Sequence, residues 1–417
     1  MLPMLSTFIP PEIQNTIIEQ CQSDPSLLSL CSLVSKQWLA CARCWIFAAC
    51  QARLAVHCDE KQGTTRLITL LLTPGSTLAP YIQNVIVEGP NLHHRATSGF
   101  DLQAEYELLN TLIIDYLSRM QGIRIIQLSA FPWDHLLPQA QAVISSLPCV
   151  TSIILKDMTF RRVSDLWLLS RTRFSGLEAL KLWRVTMEEH SFSTCNVGRM
   201  SIFPRLRFLD IVLDDKPCLL LSPSSAYINP EIIDTLCLGN VSMNDVALVN
   251  IFIMATGPAL RHLALDIAQS ATEAAISTIA VHPFPISLHQ NTSLQTLEIS
   301  TLLLHPLKRR RTSQWLYDML STVTSPKLTT LNLWFTTRPK WSPGMFDFPP
   351  LERCLLQLKD TDSGADDHLL LSALATVRLN FLHTYPWDED DHTFLAEQLR
   401  AHLPILHERG MIDVLFR

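Results

Sequence analysis

Three short clusters in this sequence contain the residue types that bind metals or anions. Cys41 and Cys44 have the separation of paired zinc ligands, but no second C-x-x-C or H-x-x-x-H follows at zinc-finger spacing. The acidic run 387–392 lacks the glycine turn and terminal glutamate of a calcium loop. The basic run 308–311 fits a nuclear localisation signal or a contact for an acidic peptide, and a solvated loop is the interpretation we favour. We predict no metal site and no cofactor.

Sequence signatures of catalysis are missing as well. The chain has 12 glycines and contains no G-x-G-x-x-G, P-loop or G-x-S-x-G sequence. Phosphate-binding loops need glycine because the backbone amides must come close to the ligand. The 14 histidines are scattered and form no H-E-x-x-H. This pattern favours a binding protein over an enzyme.

Composition and charge restrict the partners further. The chain has 417 residues, of which 47% are hydrophobic and only 17% charged, with a mean hydropathy of +0.18. The net charge of −6 argues against binding to nucleic acid or to an anionic membrane surface. Eleven cysteines without a secretion signal indicate reduced thiols, and no stretch reaches about 18 apolar residues. We therefore expect a cytoplasmic or nuclear protein, or one present in both compartments, with no membrane span.

Residues 1–58 predict a compact helical module. Residues 10–12, Pro-Pro-Glu, suit a first helical turn, and residues 24–26 interrupt that helix. A second apolar stripe follows, formed by Leu27, Leu30, Leu33, Val34, Trp38, Cys41, Ala42 and Trp45. A hairpin of this size is too small to bury its tryptophans and leucines alone. The module therefore needs a partner, either the rest of the chain or another protein.

The segment from Ile9 to Phe47 resembles an F-box. That family opens with a hydrophobic residue, Pro, any residue, Glu and a hydrophobic residue, which is the sequence of residues 9–13. It closes with Val, a small residue or Cys, Lys, any residue and Trp, as in residues 34–38. The aromatic end at residues 45–47 is similar to that of fungal F-box proteins, whereas the polar link 22–26 is longer than usual.

The resemblance implies that this module binds a Skp-type adaptor, which bridges to cullin and a RING subunit in a ubiquitin ligase. A chain of this kind performs no chemistry itself. The residues that would form or support the adaptor surface are Ile9, Pro10, Glu12, Ile13, Leu30, Val34, Lys36 and Trp38. Trp38 has two interpretations, an interface hot spot or an internal core residue, and the sequence does not decide between them.

A different regularity begins near residue 80. Aliphatic residues at i, i+3 and i+5 recur at intervals of 27, 27, 29, 27, 27, 34 and 34 residues, and weaker copies begin at Ile82 and Leu374. The eight clear copies begin at Ile123, Val150, Leu177, Leu206, Ile233, Leu260, Leu294 and Leu328. The shorter intervals lie close to the leucine-rich-repeat period of about 20–29 residues. Each copy predicts one short parallel strand with two inward aliphatics, and the residues between copies predict an outer helix.

The predicted architecture is an α/β solenoid. It consists of the helical F-box module at 1–58, a linker or connecting helix at 59–80, and a leucine-rich-repeat-like horseshoe of roughly eight to ten repeats at 81–417. The asparagine or cysteine expected three residues after the last aliphatic is absent from every copy. We therefore expect an irregular coil.

The outward strand positions are the predicted substrate surface. They lie at i+4 and i+6 of each copy and are Gln127, Lys156, Lys181, Trp183, Asp210, Asp266, Glu298, Asn332 and Trp334. Trp183 and Trp334 suit aromatic anchors, although a neighbouring loop could cover them instead. Both charge signs occur, so the substrate is an unknown protein.

Three hypotheses follow. The first joins the two parts as the substrate receptor of a ubiquitin ligase. The second is a leucine-rich-repeat scaffold unconnected to ubiquitin, whose N-terminal helices cap the solenoid. The third is an α/β enzyme, which requires a deep polar pocket with strongly shifted pKa values.

Overall fold

The computed structural model describes residues 10–22, 24–48, 51–55, 78–90, 101–162, 165–166, 176–188, 203–213, 221, 228–242, 244–268, 286–303, 309–337, 348–357, 374–383 and 389–416. Its helices are α1 Pro11–Gln20, α2 Pro25–Cys31, α3 Lys36–Ala48, α4 Leu102–Tyr116, α5 Pro138–Ser145, α6 Val246–Thr256, α7 Arg309–Leu320, α8 Phe348–Gln357, α9 Glu389–His402 and α10 Pro404–Glu408. Its strands are β1 Gln51–Ala55, β2 Asn84–Glu88, β3 Ile125–Ser129, β4 Ser152–Lys156, β5 Thr159–Phe160, β6 Ala179–Trp183, β7 Thr186–Met187, β8 Phe208–Val212, β9 Thr235–Val241, β10 His262–Ile267, β11 Thr296–Leu303, β12 Thr330–Thr337, β13 Thr376–His383 and β14 Ile412–Phe416.

The protein has a mixed α/β fold with a large amount of parallel sheet, divided into two compact units. The first unit holds residues 1–177 and 185–195, and the second holds 178–184 and 196–417. In the first unit the strands pair in parallel in the order β1-β2-β3-β4, and β5 pairs with β7. In the second unit the parallel order is β6-β8-β9-β10-β11-β12-β13-β14. The predicted parallel strands are therefore confirmed.

The aliphatic repeat forms the core of both units. All three aliphatic positions of the eight clear copies are buried, with exposed fractions of at most 3%. The two weaker copies behave alike, since Ile82 and Leu374 are buried next to β2 and β13. Burying one such side chain contributes roughly 1.5–3 kcal/mol. The periodic aliphatics are thus the main source of sheet stability.

A hydrogen-bond motif repeats where the chain enters each strand. The carbonyl of the residue before one strand accepts the N–H groups of two residues at the start of the next, as Glu178 does from Arg207 and Phe208 at 2.9 Å each. The carbonyls that repeat this pattern belong to Gln83, Arg124, Arg207, Asp234, Arg261, Gln295 and Thr329. Backbone bonding therefore aligns neighbouring repeats at this end of the strands.

The turn after the strand is closed without the expected asparagine. At the predicted Asn position, Phe131, Met158, Val241 and Ala268 are buried instead. The residue before this position has a positive φ in four repeats, namely Ala130 at 64°, Asp157 at 54°, Arg184 at 53° and Asn240 at 57°. In three repeats a left-handed residue followed by a buried apolar side chain thus takes the place of the side-chain cap, namely Ala130 with Phe131, Asp157 with Met158 and Asn240 with Val241.

Asn291 supplies a cap elsewhere. It begins an Asn-Thr-Ser glycosylation sequence, yet it is 0% exposed. Its Nδ2 donates to the Ile253 carbonyl at 3.0 Å, to Thr256 Oγ1 at 3.1 Å and to the Gly257 carbonyl at 3.0 Å, at the end of α6. The side chain therefore satisfies terminal carbonyls of that helix and is inaccessible to a glycan in the folded protein.

The substitution Asn291→Ala is expected to lower the free energy of unfolding by about 2–3 kcal/mol, because the buried acceptors lose their donor. Urea unfolding followed by circular dichroism measures this change. The control is Asn244→Ala, since Asn244 is exposed. Equal effects of the two substitutions would contradict a capping role for Asn291.

The N-terminal helices differ in detail from the sequence interpretation. The second apolar stripe is divided between α2 and α3, because the chain turns at 32–35. Ser35 Oγ accepts the Trp38 N–H at 3.2 Å at the start of α3, and Asp24 caps α2 by accepting from Ser26 at 2.8 Å and Leu27 at 3.1 Å. Residues 51–55, assigned to the helical module by sequence, form β1 and pair with β2. Residues 56–77, which include most of the predicted linker, lie outside the described residues.

Candidate functional site

Six large aliphatic side chains of the helical module are exposed. We call this set the N-terminal apolar face, and it comprises Ile13, Ile17, Leu27, Leu30, Leu33 and Val34. Leu33 is 81% exposed, Val34 63% and Leu30 62%. Among the described residues, six of the fourteen exposed large hydrophobic side chains therefore fall within 22 consecutive positions. Single exposed aliphatics are ordinary on protein surfaces, but a cluster of this kind marks an interaction site.

The module core explains why these side chains stay outside. Ile18, Leu28, Cys31 and Ala42 form its buried cluster, and Trp38 packs against that cluster with Cys21, Cys41, Trp45 and Ile46. Of the two interpretations of Trp38, the geometry favours the core residue. The other predicted adaptor residues Pro10, Glu12 and Lys36 are exposed, while Ile9 lies outside the described residues.

The predicted substrate positions alternate with the core aliphatics on the strands. In the first unit, Gln127 and Lys156 are half-exposed on β3 and β4. Arg53 of β1 forms an ion pair with Glu88 of β2, with Nε donating to Oε2 at 2.6 Å. These positions belong to one side of the first unit's parallel strands because successive strand residues point to opposite faces.

The second unit brings the remaining positions into two rows of neighbouring residues. One row joins Lys181, Asp210, Cys237, Ala264, Glu298, Asn332, Arg378 and Asp413 in register from β6 to β14. The adjacent outward positions are Trp183, Val212 and Gly239, which pair in register, Asp266 and Ser300, which pair with each other, and Trp334 on β12. Register shifts separate Gly239 from Asp266 and Ser300 from Trp334. We call the part of this surface on β8 to β12 the central sheet face. All of its residues in these two rows are half-exposed.

The cations at the two sides of the central sheet face already have partners. Lys181 Nζ lies 5.5 Å from the centroid of the Trp183 ring and 5.1 Å from that of Phe208. On the far side, Arg378 Nε lies 3.2 Å from Asp413 Oδ2. Between them, Asn332 Nδ2 donates to Glu298 Oε2 at 3.4 Å.

The pKa values report a desolvated, negative surface. Burial raises the pKa of Asp210, and a hydrogen bond from Trp183 and the charge of Lys181 act against that rise. Burial also raises the pKa of the Cys237 thiol to about 11, with added contributions from the negative charges of Asp210 and Glu298. Carboxylates of β8 and β11 thus act on the same thiol of β9.

Cys237 is expected to react with iodoacetamide on the order of a hundredfold more slowly than a free cysteine at pH 8. With a pKa of about 11, roughly one Cys237 thiol in a thousand is ionised at that pH, and the thiolate is the nucleophile. Mass spectrometry of the Cys237 peptide over time measures the rate. The control is the same reaction in urea, where the rate should rise to that of a free cysteine. Equal rates in the folded and unfolded chain would contradict the burial and the negative field.

Sequence reasoning missed several residues of these surfaces. Leu33 was assigned only to a helical stripe, although it is the most exposed aliphatic side chain of the N-terminal apolar face. Cys237 occupies an i+4 position of its repeat, so the spacing that selected Asp210 could have found it. Arg378 follows the same spacing from Leu374, in a copy that we considered weak.

The described residues also form a cleft in each unit. A cavity of about 590 Å³ is lined by Arg205, Arg207, Arg261, Glu178, Glu231 and Asp234 among others, at the entrances of the second unit's strands. Another, of about 610 Å³, lies beside Asp101, Tyr106, Asp134 and His135 in the first unit. The groups whose pKa is shifted, such as Asp210 and Cys237, line neither cleft. The combination required by the enzyme hypothesis is thus not found in these two clefts.

The described part of the chain contains no candidate metal site and no candidate membrane span. No group of three or more His, Cys, Asp or Glu side chains there is arranged to hold a metal ion. None of the described helices has the length and apolar composition that crossing a bilayer requires. No protein-family model and no curated protein matches the chain.

Proposed function

We propose that this chain is the substrate-recognition subunit of a Skp–cullin–F-box ubiquitin ligase and is not itself an enzyme. The N-terminal apolar face would dock to the Skp-type adaptor, which links the chain to cullin and the RING subunit. The parallel strands would form an irregular leucine-rich-repeat solenoid that binds a protein substrate. The observation that carries the proposal is the cluster of exposed aliphatic side chains within the segment that resembles an F-box.

The position of these side chains favours docking over capping. A cap buries its apolar side against the first repeat and presents polar residues outward. Here α3 contacts the turn Ala79–Tyr81, which precedes β2, whereas the exposed aliphatics lie on α1, α2 and the turn after α2. Capping therefore accounts for α3 and leaves the N-terminal apolar face unexplained. A partner protein that binds this face would account for its exposed aliphatic side chains.

The strand surfaces support the second half of the proposal. Each repeat contributes half-exposed side chains in register with those of its neighbours, which makes an extended surface that a protein segment can contact. Trp183 and Trp334 are half-exposed and suit the anchoring positions of such a contact.

The direct test mixes the purified full-length chain with a purified Skp-type adaptor. We expect a stable one-to-one complex on size-exclusion chromatography, and recovery of cullin when it is added. Failure to form the complex, while circular dichroism shows a folded chain, would contradict the ligase proposal and leave the scaffold hypothesis in place.

A further inference from the structure

We propose that a peroxide converts the thiols of Cys21 and Cys31 into a reversible disulfide, and that this disulfide weakens docking of the Skp-type adaptor. We call these two residues the oxidation site of the helical module. The oxidation site depends only on the contacts and the exposure of the two thiols. Its effect on docking rests on the proposed function, which it deepens by giving the docking surface a means of regulation.

The two thiols of the oxidation site meet beside the core of the helical module. Cys21 is the C-cap residue of α1, and Cys31 is the last residue of α2. Cys31 is 9% exposed and belongs to the buried cluster with Ile18 and Leu28, and Cys21 packs against the same cluster. A side-chain hydrogen bond joins the two thiols. The fold thus brings together two cysteines from different helical segments.

The exposure of the two thiols gives them different roles. Cys21 is half-exposed, whereas Cys31 is buried. Burial and the neighbouring Cys21 raise the pKa of the Cys31 thiol, so Cys31 stays protonated at neutral pH. The thiolate is the form of cysteine that attacks a peroxide, and the attack needs access from solvent. Cys21 is therefore the thiol that is oxidised first, and Cys31 is the thiol that resolves it.

The oxidation takes place in two balanced steps. The Cys21 thiolate attacks one oxygen of hydrogen peroxide, which breaks the O–O bond, forms a sulfenic acid and releases hydroxide. The Cys31 sulfur then attacks the Cys21 sulfur and loses its proton, so the S–S bond forms and the S–O bond breaks. The departing hydroxide groups take up the protons of both thiols. Two thiols and one hydrogen peroxide thus give one disulfide and two waters, and a reducing thiol reverses the change.

The other neighbouring cysteines of the module, Cys41 and Cys44, are not arranged for this reaction. They lie at i and i+3 on α3, and residues at this helical spacing have Cβ atoms about 5–6 Å apart. A disulfide requires its Cβ atoms to be about 3.8 Å apart. The Cys41 thiol also donates to Asn15 Oδ1 of α1 at 2.8 Å. Joining Cys41 to Cys44 would therefore require α3 to unwind.

A disulfide at the oxidation site acts on the N-terminal apolar face. Its sulfurs are about 2.05 Å apart, which is closer than two thiols in contact. Because Cys21 ends α1 and Cys31 ends α2, forming the bond changes the position of one helix relative to the other. Ile17 lies one helical turn before Cys21, Leu30 precedes Cys31, and both are exposed members of the face. The two sides of the face then no longer fit the same partner surface.

Mass spectrometry of the purified full-length chain tests the oxidation site. The chain is treated with hydrogen peroxide, its remaining thiols are blocked with N-ethylmaleimide in urea, and it is cleaved with trypsin. The first lysine or arginine of the sequence is Lys36, so the tryptic peptide 1–36 contains Cys21 and Cys31 and no other cysteine. We expect this peptide to lose two hydrogen atoms and to carry no N-ethylmaleimide. Dithiothreitol should restore both thiols.

Two matched variants each replace one thiol of the module by a hydroxyl group. In Cys21→Ser, peptide 1–36 should carry N-ethylmaleimide on Cys31, whereas Cys44→Ser should form the disulfide as the original chain does. The inference is overturned if peroxide leaves both thiols of the original peptide open to N-ethylmaleimide. It is also overturned if Cys21 is recovered as a sulfinic acid or in a disulfide with another cysteine. Circular dichroism verifies the fold of each variant.

Isothermal titration calorimetry with the purified Skp-type adaptor tests the effect on docking. We expect the oxidised chain to bind the adaptor roughly tenfold more weakly than the reduced chain, because part of the apolar contact is lost. Dithiothreitol should restore the affinity. Cys21→Ser should bind the adaptor equally well before and after peroxide treatment, since it cannot form the disulfide.

The oxidation site and the ligase function fail in distinguishable ways. A disulfide in peptide 1–36, together with no adaptor binding by the reduced chain, supports the oxidation site and contradicts the ligase function. Adaptor binding by the reduced chain without a disulfide keeps the ligase function and overturns the inference. A disulfide that leaves the adaptor affinity unchanged keeps the ligase function and overturns the regulation of docking.

Discussion

Replacing Phe335 by alanine is expected to lower the free energy of unfolding by about 3–5 kcal/mol. Phe335 on β12 is 0% exposed. Its ring stacks on Phe381 of β13 at a centroid distance of 5.2 Å and contacts Phe348 of α8 at 5.8 Å. The stack continues from Phe381 to Phe416 of β14 at 5.8 Å. Truncation would open a cavity at the centre of this aromatic cluster and remove ring contacts worth more than their area.

Urea-induced unfolding of the second unit, followed by far-ultraviolet circular dichroism, measures the Phe335 effect. Phe394→Ala is the matched control, because this phenylalanine is 58% exposed and its loss should change stability by less than about 0.5 kcal/mol. Phe335→Leu keeps an apolar side chain and should cost less than Phe335→Ala. If Phe335→Ala unfolds at the same urea concentration as Phe394→Ala, the aromatic cluster does not stabilise the sheet.

Most of the sheet was predictable because its signal is periodic. Every copy of the pattern buries two alternate aliphatics of a strand and a third aliphatic that precedes it. Spacing alone therefore located the strands from β2 to β13, apart from the short β5 and β7. The strands β1 and β14 were not predicted. Each pairs with only one neighbour, and neither belongs to a clear copy of the pattern.

The turn chemistry could not be predicted in the same way. The sequence showed that the expected asparagine is missing, but which residues replace it depends on the three-dimensional packing. Met158 and Val241 are completely buried at that position, and a left-handed Asp157 or Asn240 precedes them. Asn291 illustrates the same limit, because its partners Ile253 and Gly257 are more than 30 residues away along the chain.

The sequence predicted only part of the binding surfaces, because it shows local alternation along a strand but not the packing between strands or helices. The i+4 and i+6 rule found Asp210 and Glu298, since alternation along a strand depends only on the local sequence. It could not show that Lys181 lies over the rings of Trp183 and Phe208. In the helical module, the amphipathic stripe identified apolar residues without deciding which of them, Trp38 or Leu33, points outward. That choice is decided by the turn between α2 and α3.

The double substitution L30D/V34D is expected to weaken binding of the Skp-type adaptor at least a hundredfold. This expectation depends on the proposed function. Leu30 is 62% exposed and Val34 63%, so both aspartates are solvated in the isolated chain and should change its stability by less than about 0.5 kcal/mol. In the complex, however, two apolar contacts are lost and two carboxylates are desolvated, and central apolar anchors contribute about 2 kcal/mol or more each.

Isothermal titration calorimetry with the purified adaptor measures this loss. Leu108→Asp is the control, because Leu108 is 48% exposed on α4, outside the F-box-like segment, and the substitution should leave adaptor binding unchanged. Trp38→Ala is a poorer test, since Trp38 packs on the module core and its removal would disturb the fold and the interface together. If L30D/V34D binds the adaptor as tightly as Leu108→Asp does, the N-terminal apolar face is not the docking surface. Its exposed aliphatics would then belong to a different partner.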